Sequence, residues 1–560
     1  MKHVLPEPRI FIPPQRSDWI PSRLHMQTFL NMRPGGTPPY AGDMDRFAAA
    51  AAEANRTRLK AAHRLVVATH FHKWFRERLN YWYEYACAQE AKGQNQARWD
   101  LIRSVEELAT AFKIVVAQGE QEESRNQPGI LATAVLSALE IHVLLMRLLA
   151  ERYREVPPRL WKESHALFSI AREHGLALRA QRASSGDTVC IQQIYTQLCL
   201  IGIVDAYRQA PGLLPWIVAY LHKYAAALSL TPYRERPVPV GADSLPAIFL
   251  IDPDAERGPI APWHMYSEHG WLSEDRLPHC LVLDAEPLEE LLPEHLRLLN
   301  EGEDPALIHE TLAQLPAAQR QELVEQIWSA LLPDVREAAR KDVWGIPVRL
   351  YPQIQNIVLR LRQGDTRRLD YALADAADTQ PAEFRTATQA ACSWQLVDVS
   401  NTGMRIVCDY ATAPEIEVGQ VVGIEPADPA DVDWDAVLNG FAGDLPPLTQ
   451  VTVTQVRWVR QNLRGGIQMG LRKLGKQVRA AALALDESPV EGESIPIILL
   501  QQGGRHHLLL PGTVNPQGGA TGLLTETADG VAGTRRIRLG PVVIKTRYFR
   551  QIEFTYLPSA

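Results

Sequence analysis

The sequence predicts an α+β multidomain chain in which an all-α helical bundle is followed by an antiparallel β-barrel and then by a C-terminal β-rich unit. Three observations carry that expectation. The length of 560 residues exceeds one core at about 100–200 residues per domain. Apolar residues recur at three- and four-residue intervals through the first half. Short alternating apolar segments separated by Gly, Asn and Asp fill the second.

Residues 1–40 hold Pro6, Pro8, Pro13, Pro14, Pro21, Pro34, Pro38 and Pro39, which prevents a long helix and favours an extended arm. Phe11, Ile12, Trp19 and Ile20 give this arm the means to dock on its own domain or on a partner. Residues 41–240 read as the bundle. Its breaks fall at Pro128-Gly129, Pro157-Pro158, Ser184-Ser185-Gly186 and Pro211-Gly212, and the Pro-Pro pair suits a helix entry, where no amide donor is needed. The most apolar window, Leu131 to Ala150, contains Glu140, His142 and Arg147. A charge near a bilayer centre costs on the order of 2.5–3.5 kcal/mol, so a buried bundle helix is expected and no membrane span.

Residues 241–334 read as a mixed α/β linker region. PAIFLID and CLVLDAEPLEELL are rich in strand formers, and AAQRQELVEQIWSALLPDVREAARKD returns to helical spacing with a break or kink at Pro333. Residues 335–480 read as the barrel, with strands at IPVRLY, SWQLVDVS, GMRIVCDY, GQVVGIEP, TQVTVTQVRWVR and GIQMGLRKLG, interrupted by a helix near YPQIQNIVLRLR and by an acidic loop from Glu425 to Asp444. Residues 481–560 form the last β-rich unit, with strands at IPIILLQQ, HHLLLPG, TGLLTE, RRIRLG, VVIKTRYF and QIEFTYL.

The formal charge of −7 gives no global attraction to phosphate backbones or anionic lipid. Six cysteines, none in a C-x-x-C pair, exclude a disulfide scaffold and a zinc ribbon. With an N-terminus that lacks an apolar signal core, this points to the cytoplasm. No P-loop, dinucleotide fingerprint or nucleophile elbow is present, so no enzyme is expected. His63, His70 and His72 share a helix without a partner at metal-ligand spacing, and His506-His507 sits in a strand. Both groups read as core or surface histidines, with no metal or cofactor implied. The basic run Arg535 to Arg550 reads as a strand with exposed arginines, so no nucleic-acid partner is expected.

One constellation carries chemistry. Asp398-Val399-Ser400-Asn401-Thr402-Gly403-Met404-Arg405 is followed by EVGQVVGI and QVRWVRQNLRGGIQMGL. This succession resembles the PilZ family, whose signature is D/N-x-S-x-x-G at a strand end. That resemblance implies a small barrel, a cyclic di-GMP ligand, and an R-x-x-x-R ahead of the first strand, for which Arg336 and Arg340 have the spacing. Arg340 lies 58 positions before Asp398, farther than the family's usual separation, and the excess reads as a helix inserted around Tyr351 to Ala391.

The residue types suit the ligand. A guanidinium fork donates to the O6 and N7 edge of guanine and neutralises phosphate. The Asp398 carboxylate can accept from guanine N–H groups, Ser400 offers a hydroxyl, and Gly403 lets the backbone approach closely. Arg405 reads as a barrel salt bridge or a secondary contact. Two bland readings stand beside this: Arg336 and Arg340 as a solvated helix face, and Asp398, Ser400 and Gly403 as a capped turn. The resemblance implies a cytoplasmic receptor that passes nucleotide binding to a protein partner, unidentified, on the helical region. The alternative is a nucleotide-free adaptor.

Overall fold

The computed structural model of the protein describes residues 10–15, 42–121, 128–237, 247–262, 272–332, 341–366, 394–400, 402–408, 416–427, 451–462, 466–486, 494–528 and 531–558. These residues fall into two compact units. One comprises Met1–Arg152, Val156–Ala206 and Gly212–Asp334; the other comprises Tyr153–Glu155, Tyr207–Pro211 and Val335–Ala560.

The first unit is built on helices α1 (Gly42–Arg56), α2 (Ala61–Glu90), α3 (Gln96–Gln121), α4 (Pro128–Ala150), α5 (Pro158–Glu173), α6 (Ile191–Ile203) and α7 (Leu214–Tyr224). In α1, Asp43 and Asp45 lie in the first turn and Arg56 in the last, matching the helix dipole at both ends. Pro158 opens α5, as its ring allows. Helix α4 is long and apolar enough to cross a membrane, but 72% of its most apolar window is buried inside this unit. Its polar residues find partners there. The Glu140 carboxylate accepts from the Ser184 amide at 3.0 Å and hydroxyl at 3.1 Å, and His142 Nδ1 lies 2.8 Å from Ser164 Oγ.

Short strands β1 (Gln181–Arg182) and β2 (Thr188–Val189) pair within the bundle. Strands β3 (Ser229–Pro232), β4 (Ile248–Ile251) and β5 (Leu281–Asp284) form a small sheet in the order β3-β5-β4. Only the first part of CLVLDAEPLEELL is therefore strand. The Asp284 carboxylate accepts from the Glu286 amide at 3.1 Å, and with a proline in the first turn it starts helix α8 (Glu286–Glu301). Helices α9 (Pro305–Ile308), α10 (Glu310–Gln314) and α11 (Ala317–Leu331) complete the unit. The predicted break at Pro333 lies outside the described residues.

The second unit holds two closed six-stranded barrels. The first is made of β6 (Lys341–Pro352), β7 (Trp394–Val399), β8 (Gly403–Cys408), β9 (Val421–Pro426), β10 (Thr452–Gln461) and β11 (Ile467–Lys473), closed in the order β10-β11-β8-β7-β6-β9. The second is made of β12 (Lys476–Leu485), β13 (Ile495–Gln502), β14 (Arg505–Pro511), β15 (Thr521–Ala528), β16 (Val531–Lys545) and β17 (Phe549–Tyr556), closed in the order β12-β13-β14-β17-β16-β15. Closure leaves no strand edge open.

RRIRLG and VVIKTRYF, expected as two strands, are mainly one. Strand β16 runs through Gly540 and Pro541, and its register against β17 shifts between Leu539 and Val542 and again before Ile544. A bulge accommodates a proline that cannot donate to the ladder. The helix expected between the first two barrel strands is α12 (Ile354–Thr366). Its Ile354, Ile357 and Val358 share one apolar cluster with Val421 and Val453 of the first barrel and Ile498, Leu500 and Phe549 of the second. Arg360 on α12 pairs with the buried Glu425 at 2.8 Å, and Tyr351 donates to the same carboxylate. Burial beside that acid pushes the Tyr351 phenol up to about 12. Glu425 thus anchors the helix, and the acidic loop from residue 428 onward lies outside the described residues.

Candidate functional site

The constellation around Asp398 falls on the β7–β8 hairpin of the first barrel. Strand β7 is buried along nearly its whole length, and its pairing with β8 matches Leu396 to Ile406, then Asp398 to Arg405 and Val399 to Met404. The register shift between Leu396 and Asp398 marks a bulge, a device that re-aims side chains at the end of a ladder. Asp398 is only 4% exposed, and Arg405 Nε lies 2.7 Å from its Oδ2. A buried carboxylate needs a countercharge, and here it comes from the facing strand.

Ser400 closes the turn. Its amide donates to the Gly403 carbonyl at 2.8 Å, while its hydroxyl accepts from the Gly403 amide at 3.0 Å. This is the local bonding that makes serine a turn residue. Gly403 is fixed by contact with the next strand, since a Cβ there would sit 2.5 Å from the Leu471 carbonyl oxygen on β11. Lys473, at the end of β11, secures the turn twice: its ammonium donates to the Ser400 carbonyl at 2.8 Å and its amide to the Thr402 carbonyl at 2.9 Å. Arg472 lies opposite Gly403 in the ladder and is exposed.

On its other side β7 pairs with β6, where Lys341 faces Val399 and Asp342 faces Asp398. The structure therefore brings Asp398, Ser400, Gly403 and Arg405 into one hairpin and sets the beginning of β6 alongside it. Arg336 and Arg340 lie outside the described residues. Arg472 and Lys473 belong to no motif that the sequence displays. The basic run R-K-L-G-K that ends GIQMGLRKLGK was the available signal, but only the β8–β11 register shows that it adjoins the turn.

Chemically, this corner holds one buried carboxylate, Asp398, neutralised by Arg405, with the Lys473 ammonium bonded to the Ser400 carbonyl and Arg472 exposed opposite Gly403. Among the described residues no group of three or more His, Cys, Asp or Glu is placed to hold a metal. His72 and His165 have ordinary core roles. His72 packs edge-on to Phe112 with ring centroids 5.7 Å apart, and His165 bonds Tyr195 Oη at 2.6 Å and the Arg257 carbonyl at 2.8 Å.

Residues 41–235 match the family model described as the N-terminal domain of the cyclic-di-GMP receptor FimW. The cyclic-di-GMP receptor FimW of Pseudomonas aeruginosa is 24% identical over 192 residues, which is 34% of this chain and 29% of that protein. The chain is thus matched over less than a third of the length of this relative. Both findings support a cyclic di-GMP receptor family at low identity, and both describe a receptor rather than an enzyme. The matched domain lies in the helical region and does not reach the Asp398–Arg405 hairpin.

Proposed function

We propose that the chain is a cytoplasmic receptor for cyclic di-GMP, that its first barrel is of PilZ type, and that the nucleotide binds at the β7–β8 hairpin. One observation carries this reading: Lys341, the residue next to Arg340 in sequence, lies opposite Val399, immediately before Ser400. Strand β6 thus begins beside the D-x-S-x-x-G turn, and its first residue follows the R-x-x-x-R motif directly in sequence, one peptide step of about 3.8 Å away. In this reading Arg336 and Arg340 clamp the guanines and phosphates, the Asp398 carboxylate accepts from guanine N–H groups alongside its bond to Arg405, and the Arg472 and Lys473 charges hold the anion. The segment that joins α11 to β6 carries both arginines, and nucleotide held there passes the signal toward a protein partner on the helical region.

Titration calorimetry of the full chain with cyclic di-GMP tests the proposal. The expected result is one saturable site that loses about 2–4 kcal/mol of affinity in Arg340→Ala, with Arg336→Ala close behind. A second reading, a nucleotide-free adaptor, is favoured by the partners that the Asp398 carboxylate and Ser400 hydroxyl already have within their own hairpin. Absence of binding heat, or heat unchanged in both arginine variants, selects the adaptor.

A further inference from the structure

A groove in the helical unit is occupied by the chain's own N-terminal arm. Ile10 is 4% exposed and belongs to the unit's apolar core, and Ile12 packs against the same core. Between them Phe11 lies under the Arg159 guanidinium, 3.9 Å from carbon to ring centroid. Further along, the Gln15 side-chain amide donates to the Asn55 carbonyl at 2.6 Å, and its oxygen accepts from the Arg64 guanidinium at 2.8 Å. Arg64 is itself buried and also donates to the Ala54 carbonyl at 3.0 Å. The groove thus has an apolar pocket at one end, a cation–aromatic contact in the middle and a polar clamp at the other. This is a built recognition site for an extended segment containing proline, whose restricted backbone loses little entropy on binding.

The arm fits this site imperfectly. Phe11 remains 52% exposed, and a cavity of about 320 Å³ persists beside it, with Phe11 and Pro13 on one side and Glu106, Lys113, His142 and Arg159 among the other walls. The Lys113 ammonium and Glu163 carboxylate at the cavity are 2.6 Å apart, each 6% exposed. A buried pair of this kind is weak evidence for stability. The groove residues from Ala52 to Glu163 fall inside the stretch matched to the receptor family's N-terminal domain, whereas the arm precedes it. The groove residues thus lie within the matched stretch and the arm ahead of it, although both pack in one unit.

We infer that this groove is a docking site for an extended segment of a partner protein, of aliphatic–aromatic–aliphatic–Pro–Pro type, and that Ile10–Gln15 is a tethered, displaceable stand-in for it. The arm is part of the same chain, so a partner segment must outcompete an intramolecular contact. This inference is independent of the nucleotide reading.

The test is anisotropy of a fluorescein-labelled peptide with the sequence of residues 10–15, titrated with the full-length chain beside a scrambled peptide. Binding to the Ile10→Asp chain, whose arm no longer seats, is expected to be about tenfold or more tighter than to the parent. The milder double variant Phe11→Ala with Gln15→Ala is expected to move the same way and covers the case in which Ile10→Asp misfolds. Adding Arg159→Ala to a released background is expected to weaken binding about fivefold, the effect of removing one cation–aromatic contact. No gain in either released chain, or a gain indifferent to Arg159→Ala or to scrambling, overturns the inference. A dimer of the parent chain dispersed by Ile10→Asp in light scattering overturns it as well, because the occupant is then a second copy.

Discussion

The helical unit and the two-barrel unit handle buried polar groups in opposite ways. In the helical unit they are dispersed through the core. Arg98, 1% exposed, pairs with Glu90 at 3.2 Å and Glu151 at 3.4 Å, Lys113 pairs with Glu163, and His72, His142 and His309 sit in nearly dry surroundings. In the second unit the buried charges cluster in the first barrel, at Asp398 on the hairpin and Glu425 beneath α12. The second barrel keeps its ion pairs at the surface, as in Arg505–Glu553 and Arg536–Asp486. Two barrels with the same number of strands thus differ in what they bury, and the difference marks which one carries a candidate site. Architecture alone does not supply one.

Acidification is the bluntest way to break the comparison. Burial lowers His72 to about 4 and His142 to about 3, in both cases with a neighbouring cation adding to the effect, and it lowers His309 to about 4. Their ordinary value is 6.5, so between that value and about 4 the unfolded state binds protons that the folded state refuses. Stability rises with pH wherever the unfolded state holds more protons. The contribution of these histidines is complete above pH 6.5 and is lost as pH falls toward 4. Hydrogen exchange across this window is expected to show the helical unit opening while the barrels stay protected. Barrels that open first, or together with the helices, would sink the contrast.

A smaller effect separates the two barrels. Gly403→Ala drives a Cβ to 2.5 Å from the Leu471 carbonyl and is expected to destabilise the first barrel by about 2–4 kcal/mol. Gly533→Ala in the second barrel meets nothing within 4 Å and is expected to stay within about 0.5 kcal/mol. Denaturant unfolding followed by site-resolved exchange distinguishes them.

The smallest and sharpest comparison is between ion pairs. Asp398→Asn leaves Arg405 facing a buried neutral amide and is expected to cost about 1–3 kcal/mol. Glu553→Gln breaks a pair whose arginine is 70% exposed and is expected to cost at most about 0.5 kcal/mol. Equal losses in thermal unfolding would mean that the Asp398–Arg405 pair is no more than a surface contact.

Much of this was legible in the chain. Helical spacing and Pro or Gly breaks located the bundle helices, and Pro157-Pro158 placed the entry to α5. Alternation located nearly every barrel strand, and the excess between Arg340 and Asp398 announced α12. The hairpin at Ser400 was readable because its bonds are local, running between residues three apart. Less legible were the helical second half of CLVLDAEPLEELL, where a turn bond to Asp284 and a proline in the first turn override strand-forming leucines, and the merger of two segments into β16, which depends on a bulge against β17.

By itself, the sequence determined the kinds of element, their order and the turn that carries Asp398, Ser400 and Gly403, because periodicity, caps and turn chemistry act within a few residues. Only the tertiary structure decided that Arg405 neutralises Asp398, that Lys473 secures the turn, that Lys341 faces Val399, and that α12 packs between two barrels. Those outcomes depend on which strands pair and in what register. Register is fixed when distant apolar faces are buried together, a choice that no local stretch of chain contains.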